Sequence, residues 1–383
     1  MSSSRFDTLT ARAGVDTDPA HGAVMPPLYL TSNFSFAGFE QKRTFDYSRS
    51  GNPTRETLAE VIATLEGGQS GVVTSSGMAA LDLVFGLARA GDLIIAPHDC
   101  YGGTHRLLSE RAAKGSFRVD FVDQTDHEAL ATALKLNPRL LLIETPSNPL
   151  LRIVDVRSVA TAAKAVGAEV VVDNTFLSPA LQRPIALGAD YVVHSTTKYL
   201  NGHSDVVGGA VVAADRRQGE ALASWANTTG VTGAPFDAYQ TLRGLRTLSL
   251  RVHRQTASAG RVALFLSQHK AVKRVLYPGL KDHPGHEIAQ AQQSGFGAML
   301  SFELKDGRAA TRNLLGSLRL FTLAESLGGV ESLIAHPATM THASMDPHAR
   351  HIAGIGDDLL RLSIGLEDAD DLLEDLEQAL AAR

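Results

Sequence analysis

The strongest constraint on the fold of this 383-residue chain is the alternation of short apolar stretches with helical segments. In chain order the apolar stretches are "SGVVTSS", "DLIIAPHD", "RVDFVDQ", "RLLLIETPSN", "EVVVDNT" and "YVVHSTTK". Amphipathic segments such as "TLAEVIATLEGG", which ends in glycines, precede or separate most of them. Strands that alternate with helices usually pair in parallel and are covered by helices on both faces. The pattern therefore predicts an α/β fold with a large, mostly parallel sheet.

The same pattern divides the chain into three parts. Residues 1–55 lack sustained periodicity, contain turn signals such as "TDPAHG" and "SGNPT", and are predicted to form an arm. Residues 56–245 carry the alternation and are predicted to form the large domain. A long helical stretch, roughly Ala234 to Gln268, then leads into residues 246–383, which are predicted to form a smaller α+β domain. Its predicted strands are "VKRVLYPG", "GAMLSFEL", "LRLFTLA" and "LLRLSIG", and its predicted helices are "ATRNLLGSL" and "ADDLLEDLEQALAAR".

Composition argues against several classes of function. The formal net charge is −5 and no lysine- or arginine-rich block occurs, so we expect no nucleic-acid partner. The segment "MSSSRFDTLTARAGVD" lacks the apolar core of a secretory signal, and the apolar runs are too short to span a bilayer. Cys100 is the only cysteine, which fits a reducing compartment. We expect a soluble cytoplasmic protein without a membrane partner.

Three polar residues follow predicted strands at regular intervals. Asn148, Asp173 and Lys198 lie 25 residues apart in turn, about one strand-and-helix repeat. Because ligands of open α/β sheets bind outside the carboxyl ends of the strands, we expect these side chains to converge on one crevice. An amine and a carboxylate in such a place suit pyridoxal phosphate (PLP). The amine joins the cofactor aldehyde, and the carboxylate keeps the pyridine nitrogen protonated.

Neighbouring residues suit the remaining parts of that cofactor. Gly77 in "SSGMAAL" lies at a predicted strand-to-helix turn, where free backbone amides attract a phosphate. Ser195 and Thr197 flank the lysine and carry hydroxyl donors for the same phosphate. Tyr101 is a candidate to stack on the ring.

Each residue also has a simpler interpretation. Lys198 alone is a solvated surface charge, Asp173 is a helix N-cap, Gly77 is a tight turn and Tyr101 is a core residue. The order and spacing of the whole set favour the cofactor site over these separate interpretations.

The chain also resembles a known family, the PLP-dependent enzymes of cysteine and methionine metabolism. The resemblance runs almost end to end and rests on "YSRSGNPTR", "TSSGMAA", "ETPSNPLL", "VVDNTFLSP", "HSTTKYLNGHSDVVGG", "LFTLAESLGGVESL" and "HPATMTHA". It implies PLP fold type I, the aspartate-aminotransferase-like fold, with a large mostly parallel-sheet domain and a smaller C-terminal α+β domain.

The resemblance also implies roles for individual residues. The catalytic residues would be Lys198, Tyr101 and Asp173, with Lys198 moving protons and Tyr101 a candidate second base. The implied phosphate-binding residues are Ser76, Gly77, Met78, Ser195 and Thr197. The implied substrate-binding residues are Arg361, Ser326, Glu325, Arg106 and Asn148. Of these, Arg361 would bind the substrate α-carboxylate, and Asn148 would lie near that carboxylate or the phenolic oxygen of the cofactor. Without the resemblance, Arg361 is a surface charge at a strand edge.

The resemblance implies an assembly as well. Tyr47 and Arg49 of "YSRSGNP" would reach the cofactor phosphate of a neighbouring subunit. The active site would then need at least a dimer, and the expected assembly is a homotetramer made of two such dimers.

Within the family, "APHDCYGG", "SWANTTGVTG" and "GFGAMLSFEL" resemble members that replace a group at Cγ. The implied reaction joins cysteine to O-succinyl- or O-acetylhomoserine with loss of the acyl carboxylate. Glu325 occupies a position that is aromatic in β-lyase relatives, and Gly103 replaces the cysteine of methionine γ-lyase-like members. Arg106 is a candidate ligand for a distal carboxylate.

Several alternatives stay open at this point. They are γ-elimination from the thioether product, direct sulfhydrylation of the acylhomoserine, and a non-catalytic PLP-binding regulatory role. Glu325 is alternatively an acid satisfied by a neighbouring base. His283 and His286 lack partners at metal-binding spacing, so no metal is expected, and Cys100 is interpreted as a buried structural thiol.

Overall fold

A computed structural model of the chain describes residues 4–343, 345 and 347–381. The strands of its larger sheet are β1 Ser70–Thr74, β2 Leu93–Pro97, β3 Arg118–Val122, β4 Leu140–Glu144, β5 Glu169–Asp173, β6 Tyr191–His194 and β7 Gly209–Ala213. Their order is β1-β7-β6-β5-β4-β2-β3. Strands β2 to β6 pair in parallel, whereas β7 is antiparallel to both β1 and β6. The sheet is therefore mostly parallel, as the sequence predicts.

The central strands are apolar at successive positions because both faces of the sheet are covered. All five residues of β2 and of β4 are buried. A strand with one solvated face alternates apolar and polar residues, whereas a strand between two helical layers does not.

The helices and short 3-10 segments follow or separate these strands. Up to the end of the larger sheet they are α1 Phe6–Ala11, α2 Pro53–Glu66, α3 Gly77–Phe85, α4 Gly102–Ala113, α5 His127–Leu134, α6 Val156–Ala165, α7 Ser178–Leu181 and the 3-10 turn Pro184–Leu187. The turn signal "SGNPT" starts α2: the Asn52 side chain accepts hydrogen bonds from the amides of Thr54 and Arg55, and Pro53 occupies the first helical position. No helix in the described ranges has both the length and the apolarity needed to cross a bilayer.

Helix α8 spans Arg216–Thr229. The helical stretch predicted over 234–268 forms two helices, α9 Pro235–Leu245 and α10 Leu248–Gln268. The break between α9 and α10 lies where the buried Arg251 donates from Nη2 to the carbonyl of Gly244 at 2.9 Å. A side chain that satisfies a helix-terminal carbonyl stabilises the end of α9, so the chain turns there.

The smaller sheet lies beyond α10. Its strands are β8 Val272–Leu276, β9 Met299–Leu304, β10 Thr322–Leu323, β11 Leu333–Ala335 and β12 Leu359–Ser363, in the order β10-β11-β12-β9-β8. Its helices are α11 His286–Gln292, α12 Gly307–Ser317, the 3-10 turn Pro337–Thr339, α13 Pro347–Ala353 and α14 Ala369–Ala381. The expected strand "LRLFTLA" reduces to the two residues of β10, and β11, α11 and α13 are additions to the sequence-based scheme.

One apolar core runs through both sheets. It joins Val172 of β5, Leu181 of α7, Phe302 of β9 and Leu362 of β12. The three segments expected from the sequence (1–55, 56–245 and 246–383) stay predictions.

Candidate active site

A cavity of about 430 Å³ lies where β1, β4, β5 and β6 end. Residues from at least five separate segments of the chain line it. Those that the sequence singles out are Ser76, Gly77, Met78, Tyr101, Asn148, Asp173, Ser195, Thr197, Lys198, Glu325, Ser326 and Arg361. The three residues spaced 25 apart thus share one crevice at the carboxyl ends of parallel strands, the position expected for a ligand site in this architecture.

Lys198 follows β6 and points its amine into this cavity. Its Nζ donates to Ser326 Oγ at 2.7 Å. Burial and, to a smaller extent, the positive charge of Arg361 lower the pKa of Lys198 to about 8, against the opposing effect of Glu325. A larger fraction of this amine is therefore neutral near neutral pH than of a surface lysine, and only the neutral amine is a nucleophile or a base.

Asp173 ends β5 and faces the same cavity. Its Oδ1 accepts a hydrogen bond from the amide of Thr175 at 3.0 Å. Burial raises the pKa of Asp173, while the Thr175 hydrogen bonds and the charge of His194 act in the opposite direction. A buried carboxylate of this kind gains from a cationic partner in the cavity.

The N-terminus of α3 forms another wall. Ser76 Oγ accepts from the amide of Ala79 at 3.0 Å, while the amides of Gly77 and Met78, in the first turn, have no partner within the helix. A Cβ atom on Gly77 would lie 2.7 Å from Ser195 Cβ, so only glycine lets this helix end approach Ser195 so closely. The result is a narrow cradle of amides and hydroxyls that suits an anion.

The Thr197 side chain also lines this wall, where it is hydrogen-bonded to the backbone of the loop before β7. Its hydroxyl donates to the carbonyl of Gly208 at 3.2 Å and accepts from the Gly208 amide at 3.0 Å. The hydroxyl is thus held at the cavity edge by a backbone loop.

Arg361 enters from β12 of the smaller sheet and is almost fully buried. Its Nη1 donates to Asn148 Oδ1 at 2.9 Å and its Nη2 to the Ser326 carbonyl at 2.8 Å. Its Nε is buried without a hydrogen-bond partner, and the ion pairs between described residues do not include Arg361. Burial lowers the pKa of Arg361 to about 10, so the guanidinium is still charged at neutral pH. A buried, unpaired guanidinium is suited to bind a carboxylate.

Ser326 joins the two cations, since its hydroxyl accepts from Lys198 and its carbonyl from Arg361. It has a positive φ of 80°, a region that residues other than glycine seldom adopt. The strained backbone at Ser326 thus sets the relative position of the amine and the guanidinium.

Tyr101 and Glu325 lie at the cavity mouth. The Tyr101 side chain is partly exposed, and its ring meets the buried His342 edge-on at a centroid distance of 6.4 Å. Burial lowers the pKa of His342 to about 4, so this imidazole is neutral near pH 7. Glu325 is exposed and is close enough to act electrostatically on both Lys198 and Arg361.

Three predicted site residues do not line this cavity. Tyr47 and Arg49 line a separate groove of about 290 Å³ together with Arg55 and Gly233, which we call the arm groove. Arg106 is exposed on α4, five residues after Tyr101. The roles expected for these three residues stay predictions.

The cavity also contains residues that the sequence analysis missed. Glu144, Thr175, Phe176 and Thr341 line it. Glu144 ends β4 and pairs in register with Asp173 at the end of β5. The strand-end rule that selects Asp173 would have selected Glu144 too.

Comparison with known proteins agrees with this geometry. Residues 7–381 match the model of the family described as Cys/Met metabolism PLP-dependent enzyme. The chain is 54% identical to the cystathionine γ-synthase of Escherichia coli over 98% of this chain and 97% of the relative. It is 48% identical to a cystathionine β-lyase of Lactococcus lactis subsp. cremoris over 97% of this chain and 98% of the relative.

A crystal structure of the cystathionine γ-synthase from Xanthomonas oryzae pv. oryzae in complex with cystathionine superposes with a TM-score of 0.98. The two sequences are 59% identical, and the match covers 99% of this chain and 98% of the other. Fold and cavity together define a PLP-dependent enzyme of fold type I. More narrowly, the chain belongs to the family of PLP-dependent enzymes of cysteine and methionine metabolism.

Proposed function

We propose that this protein catalyses γ-replacement, the reaction of a cystathionine γ-synthase. O-succinyl-L-homoserine or O-acetyl-L-homoserine reacts with L-cysteine to give L-cystathionine and the free carboxylate. The observation that carries this proposal is the meeting of Lys198 and Arg361 at Ser326: an amine of lowered pKa lies beside an unpaired guanidinium, as an amino-acid substrate requires. The high identity to cystathionine γ-synthases along nearly the whole chain supports the choice of reaction.

The residues of the cavity fit pyridoxal 5'-phosphate. The cradle of Gly77, Met78 and Ser195 suits the phosphate, Asp173 suits the pyridine nitrogen, and Lys198 suits the aldehyde. When bound, this cofactor supplies an electron sink for a carbanion at the substrate Cα.

The protein's own groups then bind the substrate and move its protons. Arg361 and Asn148 bind the α-carboxylate, which fixes the bond at Cα that breaks. Lys198 takes the proton from Cα, releases it within the site, and as a neutral amine again takes one from Cβ while the acyl carboxylate leaves Cγ. It returns protons after the cysteine thiolate has added at Cγ. Because its pKa is near 8, the amine is able to hold or release a proton at working pH. Tyr101 is a second candidate base at the cavity mouth.

Glu325 and Arg106 are proposed to select the substrates. Glu325, exposed at the cavity mouth, is placed to orient a second amino group. Arg106 lies on α4, which begins directly after Tyr101, and is proposed to attract a distal carboxylate.

We infer that the working assembly is a homotetramer built from two dimers. In each dimer, Tyr47 and Arg49 of one subunit would reach the cofactor phosphate of the other. In support, the arm exposes large apolar side chains, with Leu30 70% and Phe39 90% exposed in the single chain. Exposed apolar groups of this size favour burial against another surface. The cytoplasm is the proposed location, and the single unpaired cysteine, Cys100, is compatible with it.

The decisive experiment compares two reactions of the purified, cofactor-loaded protein. In the first, O-succinylhomoserine and cysteine are supplied, and cystathionine formation is measured. In the second, cystathionine is supplied alone. We expect rapid cystathionine formation in the first reaction and slow breakdown in the second.

Other outcomes identify the rival activities. Rapid release of cysteine and 2-oxobutyrate in the second reaction would identify a cystathionine γ-lyase. Release of homocysteine and pyruvate would identify a β-lyase, the activity named for the relative that is 48% identical. Cofactor binding without turnover in either reaction would identify a regulatory PLP-binding protein. Replacing Glu325 with tyrosine is expected to shift the protein from γ- toward β-cleavage.

A further inference from the structure

Glu144 is a buried carboxylate at the cavity floor that the reaction proposed above does not use. It ends β4, is 7% exposed and lines the cavity. In the sheet it lies in register with Asp173 of β5, so two carboxylates stand side by side on neighbouring strands. Like charges at neighbouring positions of adjacent strands destabilise the fold unless other contacts offset them.

Two backbone amides provide those contacts. Glu144 Oε2 accepts from the amide of Tyr101 at 3.0 Å, and Oε1 accepts from the amide of Asn148 at 3.1 Å. A backbone N–H group only donates, so an ionised carboxylate with an acceptor on each oxygen matches this pair of donors.

The two amides belong to different loops that both carry site residues. Tyr101 immediately precedes α4 and faces the cavity mouth. Asn148 accepts through Oδ1 from Arg361, the candidate ligand of the substrate carboxylate. One carboxylate therefore connects the backbone of the ring-facing residue to the backbone of the residue that orients Arg361.

Charge in the surroundings opposes ionisation of Glu144. Burial raises the pKa of its carboxyl well above the usual range, and Asp173 and Asp99 raise it further, whereas the two amide donors lower it. A cationic group in the cavity would attract both carboxylates, Glu144 at the end of β4 and Asp173 at the end of β5, and so offset their mutual repulsion. The arrangement thus suits a cavity that holds a protonated ring nitrogen.

We propose that Glu144 is a positioning residue that holds the Tyr101 and Asn148 loops in their working geometry around the cofactor. This inference rests on the proposed function, because it concerns the same cavity. Glu144 acts through its hydrogen bonds from the two backbone amides.

The test uses the cofactor-loaded protein and the substitutions Glu144→Gln and Glu144→Asp. Glutamine keeps the size but turns an NH₂ group toward one of the two amide donors, so one hydrogen bond is lost. Aspartate keeps the charge but is one methylene shorter and cannot reach both amides. Glu169→Gln, at the amino end of β5 and outside the cavity lining, is the matched control.

We expect both Glu144 variants to retain cofactor while the KM for O-succinylhomoserine rises about tenfold or more, the size expected for loss of a charge-assisted hydrogen bond. The circular dichroism of the bound cofactor is expected to change as well, because Tyr101 is the residue proposed to stack on its ring. The control variant is expected to keep both properties. In an Asn148→Ala background, Glu144→Gln should raise KM much less, because the side-chain Oδ1 through which the Asn148 loop orients Arg361 is then already absent.

Two failures are distinguishable. If the wild-type protein binds cofactor and forms cystathionine, but both Glu144 variants retain the wild-type KM and cofactor circular dichroism, the positioning role is wrong and the proposed reaction stands. If Glu144→Gln does not fold, Glu144→Asp alone decides in the same way. If the wild-type protein neither binds the cofactor nor forms cystathionine, the proposed function itself is wrong.

Discussion

Charged side chains line both the cavity around Lys198 and the arm groove, but the two regions differ in how deeply these side chains are buried and in their bonding partners. In the cavity, Lys198 and Arg361 donate to groups from distant parts of the same subunit, and Arg361 is almost fully buried. In the arm groove, Tyr47 is 50% exposed and the Arg49 guanidinium lies 5.7 Å from its ring centre. Arg49 also donates to the Asn227 carbonyl at 2.7 Å.

The difference indicates how each region obtains its function. Buried, mutually bonded groups are preorganised for chemistry within one chain. Exposed cations and aromatics gain a fixed environment only when a partner surface covers them. We therefore expect the cavity to hold the chemistry and the arm groove to complete a neighbouring subunit.

The largest expected effect is at the centre of the cavity. Lys198→Ala removes the amine proposed to join the cofactor and to move the protons, so turnover is expected to fall at least about a thousandfold. Cystathionine formation measures the loss, and the exposed Lys135→Ala is the control. Substantial activity in Lys198→Ala would contradict the comparison, because the chemistry would then lie elsewhere.

The next effect concerns the support beneath the cavity. Glu66 and His194 are fully buried and meet at 2.6 Å, and Asn174 also donates to Glu66 at 2.9 Å. Glu66→Ala leaves the buried Nε2 of His194 without its carboxylate partner and removes one of the two hydrogen bonds that Asn174 Nδ2 donates. This loss is expected to cost about 3–5 kcal/mol of the free energy of unfolding. Denaturant unfolding at fixed protein concentration measures this change in the free energy of unfolding. Glu60→Ala, on the exposed side of α2, is the control. A cost similar to that of the control would show that this pair contributes little.

Arg49→Ala tests the arm groove. Loss of the phosphate contact proposed for Arg49 is expected to weaken cofactor binding about tenfold to a hundredfold. Mixing unfolded Arg49→Ala and Lys198→Ala subunits and refolding them together should restore part of the activity, because one site of a hybrid dimer then has both residues. Arg12→Ala, whose guanidinium pairs with Asp16, is the control. Failure of the mixture to recover activity, with hybrids present, would place both residues in the same subunit's site.

Arg106→Ala tests whether the protein selects O-succinylhomoserine over O-acetylhomoserine through the distal carboxylate. If Arg106 attracts the distal carboxylate, the KM for O-succinylhomoserine is expected to rise up to about tenfold. The KM for O-acetylhomoserine, whose acyl group has no carboxylate, is expected to change little. Equal effects on the two substrates would remove Arg106 from substrate selection.

The smallest effect is a shift in pH dependence. The pKa of Lys198 is lowered from 10.5 to about 8 in the folded protein. Between pH 8 and pH 10.5 the amine is therefore mostly neutral in the folded protein but still protonated in the unfolded chain. This group thus makes stability rise with pH across that window. The rate at which pyridoxal phosphate attaches to cofactor-stripped protein should have its midpoint near pH 8. Arg361→Leu should move the midpoint upward, because the guanidinium charge lowers the pKa of Lys198; an unchanged midpoint would contradict this coupling.

Local pattern was enough to predict much of the larger sheet. Apolar runs such as that of β4 mark strands buried on both faces, and glycines and capping residues such as Asn52 mark helix ends. The smaller sheet was harder, because β10 and β11 are two and three residues long and form only by pairing with each other and with β12. The break between α9 and α10 depends on Arg251, whose partner Tyr199 is 52 residues away.

By itself the sequence determined which of the three polar residues follows which strand, and in what order. The spacing of Asn148, Asp173 and Lys198 follows from one strand-and-helix repeat, and that repeat is a local property of the chain. Only the tertiary structure decided which distant groups meet them. Arg361 reaches Asn148 across 213 residues, and Ser326 reaches Lys198 across 128. Such contacts depend on how the smaller sheet packs against the larger one, and periodicity within either sheet carries no information about that packing.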